Sequence, residues 1–492
     1  AKTTPHPDNH GRFQKHRPQH SPRLWSESIR FYDSQSRVSA ISAPYKSDAI
    51  GQVLESRIYT NYEYDELNRL KRVYTVKSDG SIIEQSMQYN GLISYTDLPD
   101  GRREAKHFDG FGQVRKVVDN AGNTIDYSYI HQAGPATVTV DGSTSTYDYD
   151  LAGNVIYSND PAQGEMILVY DGMSRLKTTT DANGVMNCFA YDHIGRLIKR
   201  VGNYQFNSGD NIRNGCANPG SSDITEWTYD GTRVGRGFLD SVSQGQYYSK
   251  TYYYDHFGRE RTTEIKDVTT TFQYSTNYNK YGQISERTFP TGYHASYVYS
   301  ATTAQLTAVL GNGHIKWQML ETDKLGRATH VQYGNGINVD YGYDRQTGMI
   351  DQIQYSGHGS LQLPTDISYE FDNANNVSQR IFRRSNQLLG LETFQYDNFN
   401  RLSNAQFANG QSVGYGYDEF GSIQNKGNRQ FYYGDAHSDF CDTESVVPKG
   451  AITRMVEGGV TTRYCYDKAG NQIKMDGGNI NYTAFNKPSS II

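Results

Sequence analysis

The chain has 492 residues, with 48 Lys and Arg against 53 Asp and Glu, and a formal charge of −5 at pH 7. This mild negative charge, with a pI near 6.2, argues against nucleic acid as a partner, because nucleic-acid-binding domains usually carry a strong basic footprint. No run of about 18 apolar residues is present, so the sequence predicts no membrane span. Hydrophobic residues make up 36%, which is low for a compact globule, whereas 41 Tyr and 48 Gly are many.

The first predicted element is an arm, residues 1–28, which is rich in Pro, His and basic residues and predicts an extended or wrapping segment. From residue 29 to 492 one short phrase recurs: an aromatic residue, an aspartate, and Gly or Asn three residues after the aspartate. Several neighbouring copies start 21 residues apart, as at 149, 170 and 191. A period of this size over nearly the whole chain is typical of a repeat architecture. The copies start at Tyr32, Tyr64, Phe108, Tyr149, Tyr170, Tyr191, Tyr254, Tyr278, Thr322, Tyr343, Phe371, Tyr396, Tyr417 and Tyr466.

The chemistry of the phrase predicts a tight turn. Aspartate favours the first position of a turn, because its carboxylate accepts hydrogen bonds from the backbone that follows. Gly and Asn tolerate the left-handed conformation that closes such a turn. The residues assigned this structural role include Tyr64, Asp65, Tyr149, Asp150, Gly153, Tyr191, Asp192, Gly195, Tyr396, Asp397, Tyr417, Asp418 and Gly421.

A second kind of turn lies between copies of the phrase. The pairs Asp100–Gly101, Asn183–Gly184, Asn335–Gly336 and Asn409–Gly410 are strong hairpin signals, and each Gly stands seven residues before the next aromatic. One repeat is therefore turn, strand, turn, strand. The tyrosines fall two apart just before the phrase, so they share one face of a strand and are expected to form aromatic ladders across the sheet.

The sequence therefore predicts an all-β fold, a long antiparallel β-hairpin ribbon of about 21-residue repeats. Open twisted sheets rarely exceed about 10 strands without curling, so the ribbon has to close or spiral. A β-propeller would need about 12 blades, against a usual 4 to 8. A continuous coiled ribbon fits the spacing better, because the phrase recurs every 21 residues rather than only every 42.

The phrase, its spacing and the intervening Gly-x-x-x-x-Tyr-x-Tyr-Asp run resemble the RHS/YD-repeat proteins, over roughly residues 30–488. This family includes bacterial polymorphic toxins, the cocoon components of insecticidal Tc toxins and animal teneurins. The resemblance implies a β-ribbon that spirals into a hollow shell, without catalytic activity of its own. It also implies an exported bacterial protein, secreted or at the cell surface. The resemblance gives no residue of this chain a role in autoproteolysis, and it assigns no part of the chain to a toxin domain.

The partners that this resemblance implies are an enclosed toxin or unfolded cargo, and an additional shell-forming polypeptide or secretion machinery. The chain ends in repeat-like sequence, which leads us to expect such a closing partner. A second interpretation remains open: an extracellular carbohydrate-binding or carbohydrate-active, lyase-like YD-repeat protein, whose aromatic and polar face holds glycans.

Two segments interrupt the repeats, at 203–224 and 427–463, and loops on repeat scaffolds often carry function. The chain has four cysteines, without a CxxC motif. Cys188 and Cys465 lie in repeat strands, whereas Cys216 and Cys441 lie in the two inserted segments. We expect either two disulfides, Cys188–Cys216 and Cys441–Cys465, that tie the insertions down, or four reduced thiols.

Catalytic signatures are sparse. The sequence has no HExxH, GxSxG or P-loop motif, and it predicts no cofactor and no metal site. His294 and His330 lie in predicted strands and, with Tyr293 and Arg287, are the candidates for general acid/base work on a saccharide. Histidines on one face of a tyrosine-rich sheet are more often structural, which is the interpretation we favour.

Overall fold

A computed structural model shows an all-β chain, with no α-helix among the residues that it describes. These residues are 4–8, 11–16, 19–21, 24–43, 45–48, 58–76, 80–130, 134–140, 142–203, 223–231, 235–245, 247–323, 325–344, 347–357, 365–418, 421–434, 440–442 and 445–492.

The strands of the first half of the chain are short, mostly four to nine residues. They are β1 (Thr4–Asp8), β2 (Gly11–His16), β3 (Gln19–Ser21), β4 (Leu24–Tyr32), β5 (Val38–Ser42), β6 (Tyr45–Asp48), β7 (Tyr59–Tyr64), β8 (Leu70–Val76), β9 (Ile82–Asn90), β10 (Ile93–Asp97), β11 (Arg103–Phe108), β12 (Val114–Val118), β13 (Thr124–Ser128), β14 (Thr137–Val140), β15 (Ser143–Tyr149), β16 (Val155–Asp160), β17 (Gly164–Tyr170), β18 (Leu176–Thr180), β19 (Met186–Tyr191), β20 (Leu197–Val201), β21 (Ile224–Tyr229) and β22 (Leu239–Gln244).

The second half continues in the same way. Its strands are β23 (Tyr248–Tyr254), β24 (Glu260–Asp267), β25 (Thr270–Tyr278), β26 (Ile284–Thr288), β27 (His294–Tyr299), β28 (Leu306–Gly311), β29 (His314–Thr322), β30 (Ala328–Tyr333), β31 (Asn338–Tyr343), β32 (Ile350–Ser356), β33 (Asp366–Phe371), β34 (Val377–Arg384), β35 (Gln387–Tyr396), β36 (Leu402–Gln406), β37 (Ser412–Tyr417), β38 (Ile423–Lys426), β39 (Arg429–Tyr433), β40 (Ile452–Glu457), β41 (Val460–Tyr466), β42 (Gln472–Met475), β43 (Gly478–Tyr482) and β44 (Pro488–Ile491).

The chain divides into two compact units. Unit 1 comprises Ala1–Gly122, Tyr278–Arg287 and Tyr293–Val413, and unit 2 comprises Asn123–Asn277, Thr288–Gly292 and Gly414–Ile492. Within each unit, strands that follow one another in the chain pair antiparallel, as β31 through β35 do in unit 1 and β15 through β21 in unit 2. The predicted antiparallel hairpin ribbon is therefore confirmed.

Each copy of the phrase forms a turn at the aspartate, as the turn of Asp192 shows. The Asp192 amide donates to the carbonyl of Arg196 at 2.9 Å, and the Gly195 amide donates back to the carbonyl of Asp192 at 3.0 Å. Gly195 has φ 93°, and Asn68 and Asn400 hold the equivalent position at 64° and 59°. The pairing register shifts by one residue just before the turn, between Ala190 and Tyr191 for this copy, which is a β-bulge.

Burial along the ribbon is mostly intermediate, and the fully buried side chains are small. In unit 2, Val201 is buried completely beside Cys188, with Met186, Ala190 and Ile224 packed against them. In unit 1, Val331 and Val339 pair directly across β30 and β31 and are both buried. Small β-branched and sulfur-containing side chains suit a sheet face against which few other side chains pack.

Two of the three segments that the sequence analysis set apart from the repeats contain strands, and the third is mostly not described. Residues 1–28, predicted to be an extended arm, contain β1, β2 and β3 and the start of β4, and β1 pairs with β2, which in turn pairs with β4. Proline is tolerated here because β1 is an edge strand. The segment 427–463, predicted to be a loop, contains β39, β40 and the start of β41. No copy of the Asp phrase introduces β39 or β40. Most of the insertion 203–224 lies outside the described residues.

No helix in the described part of the chain is long and apolar enough to cross a membrane.

Candidate functional site

The repeat builds one recurrent side-chain constellation, which we call the repeat lock: aspartate, the arginine four residues later, and a tyrosine of the next hairpin. In unit 2, Asp192 Oδ2 accepts from Arg196 Nε at 2.7 Å. The Arg196 guanidinium lies 4.3 Å above the ring of Tyr229. The Tyr229 hydroxyl donates to the carbonyl of Leu197 at 2.9 Å. This turn is therefore fastened to the following hairpin by an ion pair, a cation–π contact and a hydrogen bond.

The same lock recurs along both units. Asp171, Arg175 and Tyr191 form it in unit 2, and Asp323, Arg327 and Tyr343 form it in unit 1, where the guanidinium lies 3.9 Å from the ring centre. In most of the copies that the structure describes, the tyrosine hydroxyl donates to the backbone carbonyl of the first residue of the strand that follows the preceding turn. Such bonds link Tyr64 to Val38, Tyr89 to Leu70, Tyr191 to Leu176, Tyr254 to Leu239, Tyr299 to Ile284, Tyr343 to Ala328, Tyr396 to Val377, Tyr466 to Ile452 and Tyr482 to Gln472.

The lock assigns the motif tyrosines a role that the sequence analysis did not predict in this form. We expected tyrosine rings to stack on one another across strands. In these copies the ring instead contacts a guanidinium, and the hydroxyl contacts the backbone. The signal was present in the sequence, because Arg stands four residues after Asp in many copies, but an arginine in a turn is ordinarily a solvated charge.

The carboxylates of the lock are held ionised. Partial burial opposes ionisation of Asp255, but hydrogen bonds from the Arg259 side chain and backbone outweigh it and lower its pKa to about 2. The pKa of Asp192 is lowered too, since the bonds from Arg196 exceed the burial effect. Where Asn154 replaces the arginine, its side-chain amide is the main cause that lowers the pKa of Asp150. The turns are therefore built for a charged aspartate.

The ribbon of each unit also contacts itself along its margins, and we call such a contact a seam. In unit 1, Asn400 Nδ2 donates to Asp100 Oδ2 at 3.1 Å, across 300 residues of sequence. In unit 2, Asn183 Nδ2 donates to Asp467 Oδ2 at 2.9 Å, and Asn187 Nδ2 donates to the carbonyl of Ala484 at 3.0 Å. In each seam, a turn formed by the Asp phrase, or the related turn at Thr483, contacts the opposite margin of an earlier ribbon segment.

Close packing accompanies these polar contacts in unit 2. A Cβ on Gly202 would lie 2.9 Å from the Cβ of Ala484 and 3.0 Å from the ring of Phe485. The guanidinium of Arg200 lies 3.4 Å from the centre of the Phe485 ring. Burial lowers the pKa of Arg200. The seam is therefore a packed contact that requires glycine at position 202.

Two cavities lie beside the seams. In unit 1, a cavity of about 760 Å³ is lined by the turns of Asp100, Asp372 and Asp397. In unit 2, a cavity of about 610 Å³ is lined by Asp418, the aromatic residues 431–433, Pro161 and residues 447–450. The amide of Lys449 donates to the carbonyl of Pro161 at 2.9 Å, which fixes the inserted segment after β39 against an earlier hairpin.

The cysteines lie close to these features. Cys441 and Cys465 are joined, with their Cα atoms 5.5 Å apart, and Cys465 is 2% exposed. This bond connects the inserted segment of unit 2 to β41. Cys188 also takes part in a disulfide, whereas Cys216 lies outside the described residues.

The structure does not bring the catalytic candidates together. His294 begins β27 and His330 lies in β30, with β28 and β29 between them, so three strand spacings separate them, about 14 Å. His330 Nδ1 lies 2.5 Å from Asp340 Oδ1, and His294 Nδ1 lies 3.5 Å from Glu286 Oε1. Each histidine thus pairs with its own carboxylate on an adjacent strand.

The other two candidates belong with His294 rather than with His330. Tyr293 immediately precedes β27, and its hydroxyl fills the space where Gly311 would carry a Cβ. Arg287 is exposed in β26. Among the described residues, no group of three or more His, Cys, Asp and Glu side chains is arranged to hold a metal ion.

Comparison with known proteins identifies this architecture. Residues 113–249 match the family model of the teneurin YD-shell. No curated protein sequence matches the chain. Solved structures match over nearly its whole length. The crystal structure of TcdB2–TccC3–Cdc42 is 14% identical with a TM-score of 0.74, covering 96% of this chain and 27% of that chain.

Two further structures agree. The crystal structure of TcdB2–TccC3 is 13% identical with a TM-score of 0.69, covering 98% of this chain and 30% of that chain. The Tc holotoxin pore of Photorhabdus luminescens is 13% identical with a TM-score of 0.64, covering 98% and 29%. This chain therefore spans less than a third of each of these three structures. Taken with the repeat lock, these findings confirm the predicted resemblance to the RHS/YD-repeat family: the chain has the fold of a YD-repeat shell.

Proposed function

We propose that the chain is a non-catalytic segment of an exported bacterial YD-repeat shell that encloses and delivers a toxic polypeptide. The observation that carries the proposal is the match of 96% of the chain, with a TM-score of 0.74, to a structure that contains TcdB2 and TccC3. The chain spans 27% of that structure, so in this account it acts together with further shell-forming polypeptide.

The contacts of the aspartate, arginine and tyrosine side chains support a role as an enclosing wall rather than as a catalyst. The repeat lock uses aspartate, arginine and tyrosine, which are common catalytic residues, but it commits them to one another and to the backbone of the next hairpin. The seams then fasten ribbon margins within each unit, through Asn400 and Asp100 in unit 1 and Asn183 and Asp467 in unit 2. A sheet that is locked along its length and fastened along its margins is suited to resist proteases and to keep its contents from leaking.

The proposal is tested by protease protection. The chain is co-expressed with the polypeptides encoded directly beside it, the complex is purified, and a broad-specificity protease is added. We expect one co-purified polypeptide to survive much longer inside the complex than after denaturation and refolding without this chain.

Matched variants connect that protection to the ribbon. The double variant Asn183→Ala, Asn400→Gly removes two hydrogen bonds from the seam of unit 2 and one from the seam of unit 1, and glycine at 400 accepts the positive φ of 59° at that position. The control Asn409→Ala changes an asparagine that bonds Gln411 within its own turn. We expect the double variant to shorten protection at least fivefold, because each hydrogen bond that is lost contributes about 1 kcal/mol, and the control to leave it unchanged.

Two results would overturn the proposal. The first is a co-purified polypeptide that is cleaved as fast in the complex as alone. The second is release of sugar ends from a polysaccharide panel by the chain, abolished by His294→Ala or His330→Ala, which would establish the carbohydrate-active interpretation instead.

A further inference from the structure

The hairpin ribbon has two unlike margins. Because successive strands alternate in direction, the turns of the Asp phrase all fall at one margin, which we call the aspartate edge. The turns between phrases fall at the other, which we call the glycine edge. In unit 2 the aspartate edge includes the turns that start at Asp150, Asp171, Asp192, Asp255 and Asp467, and the related turn Thr483–Lys487.

Two aspartate-edge turns of unit 2 are docked on a glycine edge, and they show how the two margins fit. In the turn of Asp467, the amide of Lys468 donates to Asn183 Oδ1 at 3.1 Å, and its carbonyl oxygen would lie 2.5 Å from a Cβ on Gly164. In the last turn, Phe485 packs against Gly202 and Arg200. The third residue of each turn, Ala469 and Phe485, is half-buried as a result.

Four other aspartate-edge turns of unit 2, those of Asp150, Asp171, Asp192 and Asp255, carry large apolar side chains at their tips, and these are exposed. Met173 and Ile194 hold the position equivalent to Phe485 and are 72% and 64% exposed, and Phe257 is 70% exposed. Leu151, one residue earlier in its turn, is fully exposed. The turn itself needs only the aspartate and the Gly or Ser with positive φ, so nothing in its backbone chemistry requires an apolar tip. We name these four side chains the tip row.

We propose that the tip row of unit 2 is a docking edge for a second YD-repeat ribbon, which offers its glycine edge in the way that residues 162–202 accept the turns of Asp467 and Thr483. This inference rests on the proposed function and names which part of the chain meets the additional shell-forming polypeptide. Rows of exposed apolar side chains on a folded surface are typical of interaction sites.

The chemistry of the docked seam defines the partner. The receiving margin offers small residues where the tip arrives, as Gly164 and Gly202 do. It offers an Asx side chain to the backbone of the turn, as Asn183 does, and an arginine that can stack on an aromatic tip, as Arg200 does. Leu151, Met173 and Ile194 follow one another at two strands, about 10 Å, and Phe257 lies four strands beyond Ile194, so Asx–Gly turns of one ribbon, which also recur every two strands, match them in spacing.

Site-specific photo-crosslinking tests the inference. Met173 or Ile194 is replaced by the photoreactive amino acid benzoylphenylalanine in the full chain, co-expressed with the polypeptides encoded beside it, and the crosslinked peptides are sequenced by mass spectrometry. The control position is Ile167, an apolar residue that is 49% exposed in the middle of β17. We expect crosslinks from 173 and 194, and none from 167, to an Asx–Gly turn of a YD repeat outside residues 1–492.

Lysine variants measure the contribution of the tips. Met173→Lys with Ile194→Lys should reduce co-purified ribbon about tenfold, whereas Ile167→Lys should leave it within about twofold. Both changes are at exposed positions, and an unchanged circular dichroism spectrum shows that the chain still folds.

Three outcomes would overturn the inference: crosslinks to sequence without YD repeats, crosslinks to any residue within 1–492, in the same chain or in a second copy, and crosslinks only to lipid or to no polypeptide. These outcomes are independent of the protease-protection test. If the co-purified polypeptide is still protected while the tips crosslink elsewhere, this inference alone is wrong. If the tips crosslink as expected but the co-purified polypeptide is not protected, the proposed function alone is wrong.

Discussion

The substitution Tyr466→Phe tests the tyrosine hydroxyl bond of the repeat with the loss of a single oxygen atom. Tyr466 is 9% exposed, and its hydroxyl donates to the carbonyl of Ile452 at 2.7 Å. Burial, the main cause, raises its pKa to about 12, so the hydroxyl is protonated and donates at any physiological pH. Phenylalanine keeps the ring and its packing and leaves the Ile452 carbonyl without this partner.

The expected effect is a loss of about 1 kcal/mol, the usual net contribution of one such hydrogen bond. The chain has two units, so a single global unfolding transition is not assumed, and the assay is hydrogen exchange of the amides of β40 and β41. A loss of about 1 kcal/mol corresponds to roughly fivefold faster exchange there.

The control is Tyr247→Phe, at a tyrosine that is 62% exposed, for which no measurable change is expected. If the exchange of β40 and β41 in Tyr466→Phe stays within the error of the control, the hydroxyl bonds do not fasten the hairpins, and our account of the repeat is wrong.

Three further predictions concern the cysteines, pH and the seam. Protein isolated without reductant should show two disulfides by intact mass, one of them Cys441–Cys465; recovery of four alkylatable thiols would refute both pairings. The lowered pKa values of the lock carboxylates mean that their stabilisation is complete above the unfolded value of 3.8 and is lost as pH falls through the folded value, about 2 for Asp255. Near-ultraviolet circular dichroism should therefore be constant from pH 7 to about 4 and decline below it, and a transition near pH 6 would contradict this assignment. Gly202→Ala should destabilise the seam of unit 2 by about 1–3 kcal/mol, because its Cβ would lie 2.9 Å from that of Ala484, whereas Gly172→Ala, with nothing within 4 Å, should not; faster exchange of residues 478–487 in the first variant alone is the expected readout.

The fold could be predicted largely because its signals are local. The turn of Asp192 needs only an aspartate, a residue that tolerates positive φ and the backbone between them, and all of these lie within five residues. Their recurrence every 21 residues then predicts the hairpin ribbon without knowledge of any distant contact. The same reasoning did not indicate β39 and β40 within 427–463, because these strands are not introduced by the phrase.

The lock and the seams could be predicted less well, for two physical reasons. The lock joins Arg196 to Tyr229, across the insertion 203–224, and a turn arginine gives no sign in the sequence that it stacks on a ring. The seams join residues such as Asn187 and Ala484, which are 297 apart, and only the path of the ribbon brings them together. Among the catalytic candidates, the sequence placed both His294 and His330 in strands, but it did not indicate that two further strands lie between them.

The central claim, that this chain is part of a wall around a cargo, is tested most directly by cryo-electron microscopy of the chain co-expressed with the polypeptides encoded beside it. Our account predicts a ribbon of antiparallel hairpins, with residues 1–492 forming part of it, that surrounds density from another polypeptide. A chain that shares no ribbon with its neighbours, or an assembly whose interior holds no polypeptide, would contradict it.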